Sequence, residues 1–169
     1  TDPSPYNVVV SEIMLQQTQV DRVLPKFLAW TERWSDFDAL SHARTEEVLS
    51  TWQGLGYNRR ALWLKQLADN VVREHSGKLP DTLAALTAFK GIGPNTAGAI
   101  LAYAFEQPVV FIETNIRRVI LHEFFPEQEE VSDKAIVPFV AATLDREHPR
   151  EWYWAMMDYG TFLKSKVDT

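Results

Sequence analysis

The sequence predicts an all-α protein of about eight to ten helices, and two observations lead to this. Apolar residues recur at spacings of three and four in Val20 to Trp34, Tyr57 to Val72 and Ile136 to Leu144, a pattern typical of helices with one buried face. The alternation typical of strands is nowhere sustained. With 169 residues, of which 46% are hydrophobic, the chain can bury a core as one compact domain.

Glycines, prolines and short polar clusters predict where these helices end. They divide the chain into segments of roughly 10–20 residues and leave no linker long enough to separate independent domains. The predicted breaks are Trp34-Ser35-Asp36, Gly54-Leu55-Gly56, residues 76–80, residues 90–94, Gln107-Pro108 and Phe125-Pro126.

The composition excludes several kinds of site. The chain has no cysteine, which rules out disulfides, a cysteine-ligated zinc and a cysteine-ligated iron–sulfur cluster within these residues.

No apolar run approaches the roughly 20 residues that span a bilayer, and Thr1 to Pro5 lacks the basic start of a signal peptide, so we expect a cytosolic protein without membrane contact. The net charge of −6 argues against an extensive basic surface for nucleic acid, although it leaves room for a local basic stripe.

Residues 86–101 contain a short apolar helix, the turn Lys90-Gly91-Ile92-Gly93-Pro94, and a second helix that opens with Asn95-Thr96. Two glycines around one aliphatic residue allow a tight turn and leave N–H groups free at a helix N-terminus, where a phosphate can bind. Such a helix-hairpin-helix turn anchors a DNA backbone without reading its sequence. The alternative is an ordinary turn between helices with glycine caps.

Glu12 is unusual because it lies in Val8 to Leu15, a helix that is apolar on almost every side. An apolar setting raises the pKa of a carboxyl group, so that it can hold or pass a proton near neutral pH as a general acid. The alternative is a glutamate in the first helical turn beside a serine cap.

Glu113 ends the apolar run Val109 to Ile112, just before a helix predicted to start near Ile116. The dipole and free N–H groups of a helix start stabilise an ionised carboxylate, which can in turn stabilise a cation. Two carboxyl groups in different environments are the usual arrangement for breaking glycosidic bonds. The alternative is a simple charge at a helix N-terminus.

Several other side chains could contact nucleic acid. Arg117 and Arg118, and likewise Arg59 and Arg60, could meet phosphates or lie on solvated helix faces. Tyr57, beside a glycine-rich turn, could insert into a base stack or cap the next helix.

Taken together, five segments closely resemble the MutY-type adenine DNA glycosylases of the helix-hairpin-helix superfamily, and the similarity runs almost end to end. The resemblance implies a helix-hairpin-helix glycosylase fold, with two helical lobes around a DNA-binding cleft. Within one catalytic domain, 1–169, the expected lobes are 20–110, which contains the hairpin, and 1–19 plus 111–169. The five segments are Pro5-Tyr6, Ser11 to Gln19, Trp52 to Tyr57, Gly91 to Ala99 and Met156 to Gly160.

The resemblance implies roles for particular residues. Glu12 matches the family's general acid, which protonates adenine and later helps to activate water. Glu113 matches a second carboxylate that stabilises the sugar cation, with Asn115 two residues on. Gln17 matches the residue that fills the stack near the flipped base, and Tyr57 the aromatic that intercalates beside the opposing base.

Further residues follow by position. We expect the DNA-binding set to include Gln17, Tyr57, Gly91, Gly93, Asn95, Thr96 and Arg117. The base pocket would contain Leu15, Asn95 and Trp154. The hairpin carbonyls of Lys90 and Ile92 are the expected ligands of a monovalent cation known in the family.

The sequence departs from the family in several places. Asn95 stands where bifunctional relatives of the endonuclease III type have a Schiff-base lysine, so we expect no lyase step. Glu113 replaces the usual Asp, and Trp154 stands where a polar base-contacting residue is usual. The family's four cluster cysteines, expected from about Lys164 onward, do not occur in this sequence, which therefore resembles the clusterless members. The family's C-terminal domain and the Trp-Arg element expected just before Thr1 are not among these residues, so we expect either a trimmed chain or a minimal type.

The function that this resemblance favours is a monofunctional glycosylase of base excision repair, removing adenine opposite 8-oxoguanine or guanine. Its expected partner is double-stranded DNA with a mispaired or damaged base. We expect a monomer, associated with the nucleoid, that requires no cofactor. A mismatch thymine or uracil glycosylase is the first alternative, since an asparagine in the pocket can bond a pyrimidine edge as well as a purine edge. A catalytically silent lesion-binding module is the second.

Overall fold

The protein is described by a computed structural model that covers residues 3–128 and 130–167. All regular elements in these residues are helices, ten in number, which confirms the predicted all-α class. None of these helices is both long enough and apolar enough to cross a membrane. The helices are α1 Pro5–Leu15, α2 Val20–Arg33, α3 Phe37–Ser41, α4 Thr45–Trp52, α5 Arg59–Glu74, α6 Leu83–Thr87, α7 Pro94–Phe105, α8 Thr114–Phe124, α9 Asp133–Thr143 and α10 Pro149–Val167.

The predicted breaks fall between helices, except that Pro94, the last residue of the break at 90–94, is the first residue of α7. Side-chain oxygens cap the N-termini of several helices, because the first N–H groups of a helix have no acceptor within the helix. Ser4 caps α1, Asp36 caps α3 and Thr82 caps α6, each accepting a bond from a backbone N–H three residues later.

The chain divides into two compact units, residues 1–100 and 101–169. They differ in extent from the two lobes expected from the sequence, 20–110 and 1–19 plus 111–169, and that assignment of lobes stays a prediction.

In the first unit, α1 packs against α2 and α5, while α5 also packs against α3 and α4. The core is rich in aromatic residues: Trp30 and Trp52 are fully buried, with ring centroids 5.6 Å apart in an edge-to-face arrangement. The Trp30 indole N–H donates to the Tyr6 hydroxyl at 3.1 Å, which satisfies a polar group that would be costly to bury alone. These contacts hold α1 inside the unit.

In the second unit, α8 packs against α9 and α10. Tyr153 is fully buried here and stacks on Phe111, with ring centroids 4.2 Å apart. Its hydroxyl donates to the Val109 carbonyl at 2.8 Å and accepts from the Phe111 N–H at 3.3 Å. Burial raises the pKa of Tyr153 to about 12. The segment before α8 is thereby fixed against α10.

Candidate functional site

Glu12 lies near the C-terminal end of α1, on a helix whose other side chains form much of the surrounding core. Val9, Val10, Ile13 and Met14 are buried, whereas Glu12 is half-buried. Because α1 begins at Pro5 with Ser4 as its cap, the alternative that Glu12 belongs to a first helical turn beside a serine cap is wrong. The Glu12 carboxyl group therefore has apolar neighbours on its own helix and is partly accessible to solvent.

The C-terminal end of α1 is bound by Arg60 of α5. The Arg60 Nη1 atom donates to the carbonyls of Ile13 at 2.9 Å, Met14 at 3.1 Å and Gln16 at 2.5 Å. Carbonyls at a helix C-terminus have no partner within the helix, and the dipole makes this end partly negative. The guanidinium therefore caps α1 a few residues after Glu12.

The same guanidinium binds the turn between α4 and α5. Its Nη2 atom donates to the carbonyls of Leu55 at 3.0 Å and Gly56 at 3.2 Å, and to the Thr18 hydroxyl at 3.0 Å. The Trp52 indole N–H also donates to the Gly56 carbonyl, at 2.9 Å. Arg60 is only 4% exposed, so the prediction that it could meet phosphate is wrong. Burial lowers the pKa of its guanidinium from the ordinary value, although a guanidinium remains charged at neutral pH.

Gln17 and Tyr57 project from the two segments that Arg60 binds. Both have left-handed backbones, with φ of 54° and 48°, which residues other than glycine rarely adopt. Both side chains are exposed; Tyr57 is 66% exposed and is therefore no hydrophobic cap for α5. Backbone strain of this kind is concentrated at functional sites in proteins.

The helix-hairpin-helix turn lies between α6 and α7. Gly91 has φ of 84°, and a Cβ there would lie 2.6 Å from the Trp63 ring, so both its conformation and its surroundings require glycine. Ile92 is buried, whereas Gly93 and Asn95 are exposed at the start of α7. The start of α7 is therefore exposed, and the binding of an anion there stays a prediction.

Gln16 connects this turn to the end of α1. Its amide nitrogen donates to the Gly91 carbonyl at 2.9 Å and approaches the Thr96 hydroxyl at 3.4 Å. The monovalent cation expected at the Lys90 and Ile92 carbonyls stays a prediction.

Glu113 is the N-cap of α8, in the second unit. One of its carboxylate oxygens accepts from the N–H groups of Asn115 at 2.6 Å and Ile116 at 2.9 Å. This confirms the predicted position at a helix start, where the N–H groups and the dipole stabilise the anion. The longer side chain of Glu still reaches the capping position usually taken by a shorter residue.

Asn115 is held from two sides. Its amide oxygen accepts from Arg118 at 2.6 Å, and its backbone lies against Gly160 of α10, where a Cβ would come within 2.7 Å of the Asn115 carbonyl oxygen. Arg118 also donates to the Gly160 carbonyl at 2.9 Å. The start of α8 is thereby locked to α10.

Two further predicted residues, Arg117 and Trp154, make contacts within the second unit. Arg117 is paired with Asp133 and donates to the Val131 carbonyl. Trp154 is 47% exposed and stacks on Tyr103, with ring centroids 6.5 Å apart. Neither arginine of the 117–118 pair lies on a freely solvated helix face.

Sequence reasoning missed the tertiary contacts of Gln16, Arg60 and Arg118. A signal for Arg60 was present, because it falls on the apolar face of α5 with Ala61, Leu64, Leu67 and Val71, all of them buried. A charged residue on such a face needs partners. Nothing in the sequence identified the backbone carbonyls that serve as those partners.

A family model described as "HhH-GPD superfamily base excision DNA repair protein" matches residues 10–137. The chain belongs to this superfamily. The matched range includes Glu12, the hairpin turn and Glu113, and it confirms the resemblance found in the sequence.

Curated relatives within the HhH-GPD superfamily are adenine DNA glycosylases. The chain is 41% identical over 117 residues to that of Mycobacterium tuberculosis (strain H37Rv), covering 69% of this chain and 38% of the relative. It is 31% identical over 164 residues to that of Buchnera aphidicola, covering 95% of this chain and 46% of the relative. The chain thus spans less than half the length of these relatives.

Solved structures support the same fold. A thermostable thymine-DNA glycosylase superposes with a TM-score of 0.83 at 24% identity, over 93% of this chain and 74% of that one. The all-α fold is therefore the helix-hairpin-helix glycosylase fold of the superfamily.

Proposed function

We propose that this chain is the catalytic part of a monofunctional DNA glycosylase that removes adenine opposite 8-oxoguanine or guanine from double-stranded DNA. The observation that carries the proposal is the position of Glu12, half-buried on apolar α1 and five residues before the exposed, left-handed Gln17. A general acid needs such a setting to hold a proton near neutral pH. Identity of 41% to an adenine DNA glycosylase supports adenine as the excised base.

In this mechanism Glu12 donates a proton to the adenine ring, so that the base leaves neutral as the glycosidic bond breaks. The electron pair of that bond goes to the base and leaves an oxocarbenium-like sugar. Glu12 then takes a proton from the water that attacks the sugar carbon. Glu113, the N-cap of α8, stabilises the sugar cation.

The proposed DNA contacts combine amides with inserted side chains. The N–H groups around Gly93 and Asn95, at the exposed start of α7, bind a phosphate. A monovalent cation at the Lys90 and Ile92 carbonyls would strengthen that phosphate site electrostatically; no other cofactor is proposed. Gln17 and Tyr57 enter the base stack and offset part of the cost of unstacking, a few kcal/mol.

Single-turnover excision tests the proposal. Duplexes carry A opposite 8-oxoguanine, A opposite G, T opposite G, or U opposite G, and Glu12→Gln is compared with Glu46→Gln, which changes an exposed glutamate of α4. We expect cleavage at adenine alone, its abolition by Glu12→Gln with duplex binding retained, and no effect of Glu46→Gln. Excision of T or U would identify a mismatch glycosylase instead, and excision of nothing would favour a silent lesion-binding module.

Borohydride trapping tests the absence of a lyase step. Asn95 has no amine to form a Schiff base, so the wild-type protein should give no trapped DNA adduct in catalytic yield. A variant Asn95→Lys, with the amine restored at this position, is the informative comparison. Efficient trapping with the wild-type protein would contradict the monofunctional assignment.

A further inference from the structure

Arg60 is a buried cation whose partners are neutral. It is 4% exposed, and its two terminal nitrogens donate to five backbone carbonyls and one hydroxyl. Only its Nε atom has no hydrogen-bond partner among the described residues. Burying a charge is unfavourable unless its surroundings replace water, and here the carbonyl dipoles do so.

The carbonyls belong to two segments that are far apart in sequence. Nη1 serves the end of α1 and Nη2 serves the turn before α5. The Gln16 carbonyl immediately precedes Gln17, and the Gly56 carbonyl immediately precedes Tyr57. One planar group therefore fixes the peptide unit before each of the two exposed, left-handed residues.

The aromatic contacts agree with this arrangement. The guanidinium carbon lies 5.5 Å from the Tyr57 ring centroid and 5.3 Å from the Trp52 ring centroid. Cation–π attraction at these distances restrains the Tyr57 ring. Left-handed backbones at Gln17 and Tyr57 each cost on the order of 1–3 kcal/mol, so they persist only where neighbours hold them.

We propose that Arg60 is a positioning residue that couples the end of α1 to the 54–57 turn, so that Gln17 and Tyr57 are presented to the base stack in one fixed arrangement. The proposal rests on the proposed function only in that Gln17 and Tyr57 contact DNA. A lysine has a single nitrogen on a flexible stem and cannot bind both segments with the geometry of a planar fork. Arg60→Lys should keep the charge and lose the coupling.

Hydrogen exchange tests the coupling without reference to activity. The N–H groups of Thr18 and Leu55 close tight turns in the two segments, bonding to Leu15 at 3.2 Å and Trp52 at 3.1 Å. Arg60→Lys should accelerate exchange at both N–H groups by roughly tenfold or more, whereas Arg73→Lys, an exposed change on the same helix, should leave both unchanged. Unchanged exchange in Arg60→Lys, or acceleration in one segment alone, would overturn the coupling.

Excision from two duplexes then tests the consequence for DNA. The target base is placed either in a stacked mispair or opposite an abasic site, where flipping costs less. Arg60→Lys should slow excision roughly tenfold on the stacked target and much less on the unstacked one, because only the first needs ordered insertion of Gln17 and Tyr57. An equal loss on both duplexes would indicate a purely structural residue.

The two experiments separate this inference from the proposed function. If the wild-type protein excises nothing, the glycosylase assignment fails, and hydrogen exchange still decides the coupling. If Arg60→Lys does not fold, Thr18→Val removes one acceptor of Nη2 and should accelerate exchange in the same two segments to a smaller extent. Normal exchange in Thr18→Val would then count against the coupling.

Discussion

Gly160→Ala should destabilise the protein, although replacing glycine by alanine within a helix normally stabilises it by roughly 0.5–1 kcal/mol. Gly160 lies on α10 against the start of α8. A Cβ at this position would lie 2.6 Å from the Asn115 Cβ, 2.7 Å from its carbonyl oxygen and 2.8 Å from its Cα. Two of these three atoms belong to the backbone, so rotation of a side chain cannot relieve the clash.

The expected change in the free energy of unfolding is the cost of the steric clash minus the gain in helix propensity. Overpacking costs typically about 1–3 kcal/mol, and the gain in helix propensity offsets part of it. We expect a net loss of about 1–2 kcal/mol, and for a chain of this size each kcal/mol lowers Tm by roughly 2–4 °C. The start of α8 must also move, and a shift of about 1 Å at a catalytic group can reduce the rate on the order of a hundredfold.

Urea unfolding and single-turnover excision, measured well below Tm, would separate the two effects. Thr161→Ala is the matched control, because Thr161 is exposed on the same helix and the change should alter stability by less than about 0.5 kcal/mol. A Gly160→Ala variant as stable as the wild-type protein would refute the reasoning from the close contact. A stability loss with a normal rate would show that Asn115 does not position Glu113.

The other predictions concern the hairpin and alkaline pH. At Gly91, φ is 84° and an added Cβ would lie 2.6 Å from the Trp63 ring, whereas at Gly77 φ is 78° and an added Cβ would meet no neighbouring atom within 4 Å. Gly91→Ala should therefore lower the free energy of unfolding more than Gly77→Ala. It should also weaken binding equally for all DNA sequences, and equal stability losses for the two variants would contradict the steric argument. Burial raises the pKa of Tyr153 from 10.0 to about 12, so its contribution to stability should be complete below pH 10 and be lost as the pH rises toward 12. Measured by urea unfolding between pH 10 and 12, the free energy of unfolding should fall less steeply with pH for Tyr153→Phe than for the wild-type protein. An equally steep fall would show that groups other than Tyr153 cause the pH dependence.

The helical fold could be predicted because its signals are local. Apolar spacing and the glycine and proline breaks depend on residues a few positions apart, and each predicted break separates two helices, with Pro94 alone lying inside one, as the first residue of α7. Glu113 could be placed at a helix start for the same reason, since its N–H partners belong to the next three residues. The rule that a helix start binds a carboxylate requires no tertiary information.

The contacts of Arg60 could not be predicted, because they depend on tertiary structure. Its partners in α1 precede it by more than 40 residues, and they are backbone oxygens that every sequence contains. The sequence showed a charge on the apolar face of α5, which indicates that partners exist without identifying them. The burial of Arg60 excludes both alternatives that the sequence left open, a phosphate contact and a solvated helix face.

Three arginines of this acidic chain bond to groups of the protein itself, which limits the positive charge available to bind DNA. Arg60 is buried on carbonyls, Arg117 pairs with Asp133, and Arg118 bonds Asn115 and the Gly160 carbonyl. These three cations stabilise the protein's own segments, so the number of basic residues overstates the charge offered to phosphates. With a net charge of −6, the proposed duplex binding must depend more on N–H groups at the start of α7 and on stacking than on ion pairs. Backbone contacts carry no sequence information directly, which suits the proposed removal of a misplaced base in any sequence context.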